Sequence, residues 1–128
     1  MVTYKDLEIY KISHNLAVEV HRMTLKELPR FKMFEEGAQV RRSSKSIVAN
    51  IVEGFGRRRY KQEFIQFLTY SLASCDETRA HIELLHDTGS LEDKSLSDDF
   101  VRRYEELGAK IMAFTKSVER GHLTQRRS

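Results

Sequence analysis

Apolar residues recur at intervals of three and four along four separate stretches of the chain, which is the spacing of a buried helix face. The stretches lie at about residues 6–27, 34–54, 60–88 and 93–119. No alternation of period two competes with this pattern. It predicts an all-α protein whose four helices, joined by short connections, form an antiparallel up-down-up-down bundle. The fourth stretch is the most regular, with apolar residues at Leu96, Phe100, Tyr104, Leu107, Ile111, Phe114 and Val118.

A proline and three glycines mark the expected helix ends. Pro29 disfavours helical geometry at the residue before it and should end the first helix. Gly54 and Gly56 are expected to break the second helix and to supply the backbone freedom of a tight corner. Gly89 is expected to cap the third helix.

Length and composition agree with a single domain. The chain has 128 residues, of which 40% are hydrophobic and 32% are charged. We expect one bundle over residues 1–119 and a basic, disordered tail over residues 120–128. The single cysteine, Cys75, excludes an internal disulfide and suits a reducing compartment. The sequence shows neither an apolar signal segment nor a run of about 20 apolar residues, so we expect a cytoplasmic protein without a membrane partner.

Charge is distributed unevenly, although the formal net charge is only +3. Residues 41–61 contain seven basic residues and a single acid, Glu53. Residues 76–106 contain ten acids and four bases. Such segregation attracts a polyanion to one region or lets copies of the chain meet head to tail.

The second helix carries a stripe of mostly small polar groups. At 100° per residue, its members fall within an arc of about 80°. Serine and asparagine are weak helix formers, so an ordinary solvent face would favour longer side chains. The stripe indicates a close, hydrogen-bonded helix contact, within the chain or between copies, and an exposed polar face is the alternative. Its members are Gln39, Ser43, Ser46, Asn50 and Glu53.

A cluster of cations follows the second helix, at Arg57, Arg58, Arg59 and Lys61, with Tyr60 among them. Cations at a helix corner can bind phosphates, and the adjacent aromatic ring can stack on a base. The alternative is a solvated loop whose cations pair with acids elsewhere in the fold. The first interpretation makes these four residues the candidate nucleic-acid-binding site.

The motifs of known catalytic and cofactor sites are absent from the sequence. Gly54-Phe55-Gly56 lacks the third glycine and the preceding strand of a dinucleotide-binding turn. The histidines do not have the spacing of a helical zinc site, and the pair Glu83 and His86 has no second copy. We therefore expect no catalytic residue, metal or cofactor, and predict that the protein is not an enzyme.

Residues 39–57 read QVRRSSKSIVANIVEGFGR. This stretch resembles the signature of the four-helix-bundle proteins encoded in intervening sequences of bacterial 23S ribosomal RNA genes. Asp6-Leu7, Leu28-Pro29 and the pair Ser74 and Glu77 agree with flanking parts of the family pattern. Two departures are Ser43, where a small apolar residue is usual, and Tyr10, where a tryptophan is frequent. The resemblance covers about residues 4–120.

The resemblance implies an antiparallel four-helix bundle that assembles into a homopentamer. A related protein, the accessory subunit of diversity-generating retroelements, forms a basic pentameric barrel that binds nucleic acid and a reverse transcriptase. The resemblance further implies that its matching polar residues serve packing or assembly. These are Gln39, Arg41, Arg42, Asn50, Glu53, Ser74 and Glu77.

The residue patterns and the family resemblance together predict a non-enzymatic, self-associating bundle that binds RNA or DNA as an accessory protein. A structural or protein-interaction scaffold without nucleic-acid binding is the alternative. The sequence identifies no protein partner.

Overall fold

A computed structural model describes residues 2–121, and within them the chain forms four long helices and no strand. The helices are α1 (Glu8–Lys26), α2 (Arg30–Gly56), α3 (Lys61–Asp87) and α4 (Lys94–Glu119), preceded by a short 3-10 turn at Tyr4–Asp6. Each helix packs against the next one along the chain, which gives the predicted all-α four-helix bundle. Most of the predicted tail, residues 122–128, lies outside the described residues.

Helix α2 is longer at both ends than its apolar pattern indicates. It begins at Arg30 directly after Pro29, because the fixed φ of proline suits the position before a helix and only three residues connect α1 to α2. It continues through Gly54 and ends at Gly56, so the helix end expected at these two glycines lies at the second of them. Neither glycine has a positive φ, whereas Gly89 has a φ of 83° just beyond the end of α3, as expected for a cap.

Gly54 serves a close approach between helices rather than a turn. A Cβ atom added there would lie 3.0 Å from the Cβ of Phe67 and 3.3 Å from the Cδ1 of Phe64. The missing side chain therefore lets α2 and α3 approach each other at the corner where they meet. Gly56, by contrast, has nothing within 4 Å of the corresponding position.

The core runs the length of the bundle between the helices. Val20 of α1, Ile47 of α2, Leu68 of α3 and Leu107 of α4 are fully buried. Near the α2–α3 corner the core is aromatic: the ring of Phe64 meets Phe55 at 6.3 Å and Phe114 at 5.8 Å, both edge to face. This aromatic cluster gives the corner a rigid base.

Ion pairs connect the first and last helices. The guanidinium of Arg103 in α4 binds the carboxylate of Glu19 in α1, with a distance of 2.8 Å from Nη1 to Oε1. Hydrogen bonding by Arg103 is the main cause that lowers the pKa of the Glu19 carboxyl. Lys110 and Glu8 form a second, exposed pair at 3.4 Å. These contacts hold α4 beside α1, where few backbone positions come close.

Candidate nucleic-acid interface

The four candidate cations lie around the corner between α2 and α3. Residues 57–60 form this corner, and the backbone N–H of Tyr60 donates to the carbonyl of Arg57 at 2.8 Å. Arg57 is the C-cap of α2, whereas Lys61 is the first residue of α3. The cations therefore stand on two helix ends and a short turn, so their backbone positions are fixed by both helices.

The guanidinium of Arg57 forms ion pairs with two acids of the same chain. Its Nε lies 2.7 Å from Glu53 Oε2, and its Nη1 lies 2.8 Å from Glu63 Oε1. Its guanidinium also lies 5.1 Å from the centre of the Phe67 ring. Hydrogen bonds to Glu63 and then to Glu53 raise the pKa of Arg57. Two carboxylates thus compensate its charge and join the end of α2 to the start of α3.

Arg58 is held against α2. Its Nη1 donates to the carbonyl of Phe55 at 2.9 Å, and its guanidinium carbon lies 4.0 Å from the centre of the Phe55 ring. These contacts orient the guanidinium along the helix end, and the side chain stays partly exposed. Arg58 therefore adds positive charge at the corner from a fixed position.

Arg59 and Lys61 carry the charge that remains available at the corner. Arg59 is exposed and Lys61 is half-buried, and neither forms an ion pair with any of residues 2–121. Between them, 58% of Tyr60 is exposed. The corner thus presents two uncompensated cations beside an aromatic ring, a combination suited to phosphates and an adjacent base.

The remaining bases of residues 41–61 point to other sides of α2. Arg41 donates to Thr24 Oγ1 at 2.7 Å and to the carbonyl of Met33 at 3.1 Å, so it connects α2 to α1. Lys45 lines a groove between α1 and α2, and Arg42 lines one between α2 and α3. The basic block of the sequence is therefore not one continuous patch in the fold.

Three of the ten acids of residues 76–106 form ion pairs with bases of α4. Asp98 binds Lys94 at 2.7 Å, and Arg102 binds Asp99 at 2.7 Å and Glu106 at 3.0 Å. Hydrogen bonding by Arg102 is the main cause that lowers the pKa of the Asp99 carboxyl. Among residues 2–121, the ion pairs of the corner cations come from Glu53 and Glu63 instead. The acidic segment therefore does not neutralise Arg59 and Lys61.

Part of the small polar stripe of α2 lies against α3 in the same chain. Ser46 Oγ and Ser74 Oγ are 3.1 Å apart, and Thr78 Oγ1 donates to Ser43 Oγ at 2.8 Å. Asn50 donates to the carbonyl of Ser46 at 2.9 Å. These bonds satisfy polar groups at a closely packed helix contact. The stripe thus serves the α2–α3 contact at Ser43 and Ser46, and a role of its members in assembly stays a prediction.

Sequence reasoning missed two members of this contact, Ser71 and Thr78. Ser71 Oγ donates to the carbonyl of Ile47 at 2.9 Å. The hydroxyl side chains of Ser71 and Thr78, both in α3, are fully buried. The available signal was their spacing, because Ser71, Ser74 and Thr78 follow one another at three and four residues and so share a helix face.

The other predicted polar residues lie outside the buried contact. Gln39 and Arg42 are exposed beside a groove of about 380 Å³ between α2 and α3. Glu77 lines the same groove, with its Oε2 3.3 Å from Nε2 of His81. Glu53 is engaged with Arg57 at the corner. These residues are not brought together into one network.

The four histidines of residues 2–121 do not form a metal centre. His86 Nδ1 lies 2.9 Å from the carbonyl of Leu91, and His14 Nδ1 lies 3.4 Å from the hydroxyl of Tyr10. Across residues 2–121, no three His, Cys, Asp or Glu side chains converge in a way that could hold a metal ion. Also within this range, no helix is both long and apolar enough to span a membrane.

Cys75 is a buried core residue, and its thiol should react slowly in the folded protein. Its Sγ donates to the carbonyl of Tyr104 at 3.3 Å, and burial raises its pKa to about 12. Because the thiolate is the reactive form, labelling by a thiol reagent at pH 8 should be at least about tenfold slower in buffer than in denaturant. Equal rates in the two conditions would contradict the buried position.

The comparison with curated proteins gives no match. Among solved structures, the chain is similar to a protein of unknown function from the S23 ribosomal protein family of Bacteroides thetaiotaomicron VPI-5482. The two are 24% identical, with a TM-score of 0.76, and the match covers 84% of this chain and 95% of the other. That likeness supports the fold. A sequence profile described as 23S rRNA-intervening sequence protein matches residues 5–113. The chain therefore belongs to the family of 23S rRNA-intervening sequence proteins.

Proposed function

We propose that the protein is a non-enzymatic, self-associating nucleic-acid-binding protein that contacts RNA or DNA through the α2–α3 corner. The observation that carries the proposal is the pair of exposed Arg59 and half-buried Lys61, which has no ion-pair partner in the described chain and flanks the exposed ring of Tyr60. Arg58 adds charge at the same corner. Arg57 has a positioning role, because its bonds to Glu53 and Glu63 brace the two helix ends.

Contacts of this kind bind phosphates without reading base edges, so the expected affinity is weak for one copy and largely independent of sequence. Self-association offsets this weakness. An assembly repeats the corner in each subunit, and several weak contacts to one strand then add through a raised effective concentration. The family resemblance favours a homopentamer as the assembled form.

A binding role is also consistent with the state of the one cysteine, Cys75. The Cys75 thiol is buried and its pKa is high, so it is protonated near neutral pH. We therefore assign the protein no catalytic step and no cofactor.

Fluorescence anisotropy of labelled single-stranded RNA and DNA tests the proposal. The unmodified protein should bind at low salt, with similar affinity for unrelated sequences, and its affinity should fall steeply as salt is added. Absence of binding to either nucleic acid at low salt, from a protein whose assembled state is intact, would contradict nucleic-acid binding and favour the scaffold alternative.

A further inference from the structure

An apolar groove of about 510 Å³ runs along the outer surface between α1 and α2. Small and branched apolar side chains form its floor, and basic side chains form its rim. The floor comprises Ala17, Val18, Val48 and Ala49, and the rim comprises His14, His21, Arg22 and Lys45.

The apolar surface extends beyond the groove towards the connection between the two helices. Helical spacing places Leu25 on the face of α1 that carries His14, Val18 and His21, and places Phe34 on the face of α2 that carries Lys45. These two side chains are 51% and 68% exposed. Exposed apolar side chains on the same helix faces as an apolar groove favour an interaction site there.

The rim of the groove carries two uncompensated cations, Arg22 and Lys45. None of the residues that line it has a carboxylate, and Arg22 and Lys45 form no ion pair with the described part of the chain. Nδ1 of His21 is buried without a hydrogen-bond partner among residues 2–121. The complementary surface is therefore a helix that presents apolar and acidic side chains together.

This chain carries such a surface on the outside of α3. Tyr70, Ala73, Glu77, Ala80 and Leu84 follow one another at three and four residues, and all five are exposed. We call these five residues the outer stripe of α3. Its two alanines permit a close approach between helices, and further exposed acids stand beside it at Asp76, Glu83 and Asp87.

We propose that the outer stripe of α3 of one copy docks in the α1–α2 groove of a second copy, with its acids against the basic rim. The proposal rests on the self-association included in the proposed function and names the surfaces that mediate it. Residues 14–25 extend over about 17 Å of α1 and residues 70–84 over about 21 Å of α3, so the two surfaces have similar lengths.

The outer surface of α4 is a poorer occupant, because three of its acids are already compensated within the helix. Asp98, Asp99 and Glu106 are each paired with a base of the same helix. On the outer stripe of α3, by contrast, the one acid, Glu77, has an imidazole contact, with His81 at 3.3 Å, and Tyr70 accepts a hydrogen bond from Gln66 at 2.7 Å. Because the groove and the stripe are different surfaces, the contact is head to tail, and repeated contacts close into a ring when the rotation permits.

Charge reversal on each surface tests this interface. The groove variant is Arg22→Glu with Lys45→Glu, and the stripe variant is Glu77→Lys with Glu83→Lys, all at exposed positions. Light scattering at micromolar concentration should give an assembled mass for the unmodified chain and the 15.0 kDa monomer for either variant. The chain with all four changes should regain the assembled mass. Lys116→Glu, an exposed position on α4, is the control and should remain assembled.

Circular dichroism verifies that each variant is folded, and Ala80→Arg supplies a second, steric block of the stripe if a charge reversal fails to fold. Folded groove and stripe variants that keep the assembled mass would overturn the interface while self-association stands. An unmodified chain that is itself a monomer would overturn self-association, and the interface with it. A folded fourfold variant that stays monomeric would contradict the pairing of these two surfaces.

Discussion

Replacing Arg59 and Lys61 together with alanine is expected to weaken binding of RNA or DNA by about ten- to fiftyfold at roughly 0.1 M salt. Each cation that neutralises a phosphate releases a condensed counterion, so the logarithmic salt slope should also fall by about 1.4–1.8 for each subunit that contacts the nucleic acid. Anisotropy titrations over a series of salt concentrations measure both quantities. Helicity and assembled mass should not change, because neither side chain forms an ion pair within residues 2–121.

The matched control removes the same charge at the opposite end of the bundle, with Lys26→Ala and Arg30→Ala, both exposed. It should leave affinity within about twofold and the salt slope unchanged, because these residues are remote from the corner. Equal losses in the two double variants would show that net charge, and not the corner, determines binding. Replacing Arg57 would be a poorer test, since it also removes the bonds to Glu53 and Glu63.

Gly54→Ala is expected to destabilise the fold by about 1–3 kcal/mol, which is typical of overpacking at a closely packed site. The new methyl group would stand 3.0 Å from the Cβ of Phe67, an atom that cannot move without its backbone. Chemical denaturation measures the change in the free energy of unfolding.

Gly56→Ala is the control for this prediction, because the two glycines are two residues apart in the same helix and differ in their surroundings. Gly56 has open space at the Cβ position and a helical backbone, so alanine there should be neutral or stabilise by up to about 1 kcal/mol. A loss of stability at Gly56 as large as that at Gly54 would contradict the assignment of Gly54 to close helix approach.

Helical periodicity predicted the number and order of the helices, because burying an apolar face requires residues at three- and four-residue spacing. It did not predict the path of the chain at Gly54 and Gly56. A glycine that permits a turn and one that permits a close contact look alike in sequence, and only the position of Phe67 distinguishes them.

The candidate site at the α2–α3 corner could be predicted from the sequence only where its residues are neighbours along the chain. The corner cations lie close together in the fold, as predicted, because they are adjacent residues of one short turn. Arg41, Arg42 and Lys45 dispersed because successive helical residues are rotated by about 100°. The cations that are available to a phosphate are those without an acidic partner, and such partners depend on the tertiary structure. The i, i+4 pair of Glu53 and Arg57 could be read from the sequence, but the approach of Glu63 required the folded corner.

The central claim, that an assembled bundle binds nucleic acid through the α2–α3 corner, is tested most directly by native mass spectrometry with a short RNA at low ionic strength. We predict a species that contains several copies of the 15.0 kDa chain together with bound RNA. The Arg59→Ala and Lys61→Ala double variant should form the same protein assembly with little or no RNA. A folded, unmodified chain that appears only as an RNA-free monomer would contradict the claim.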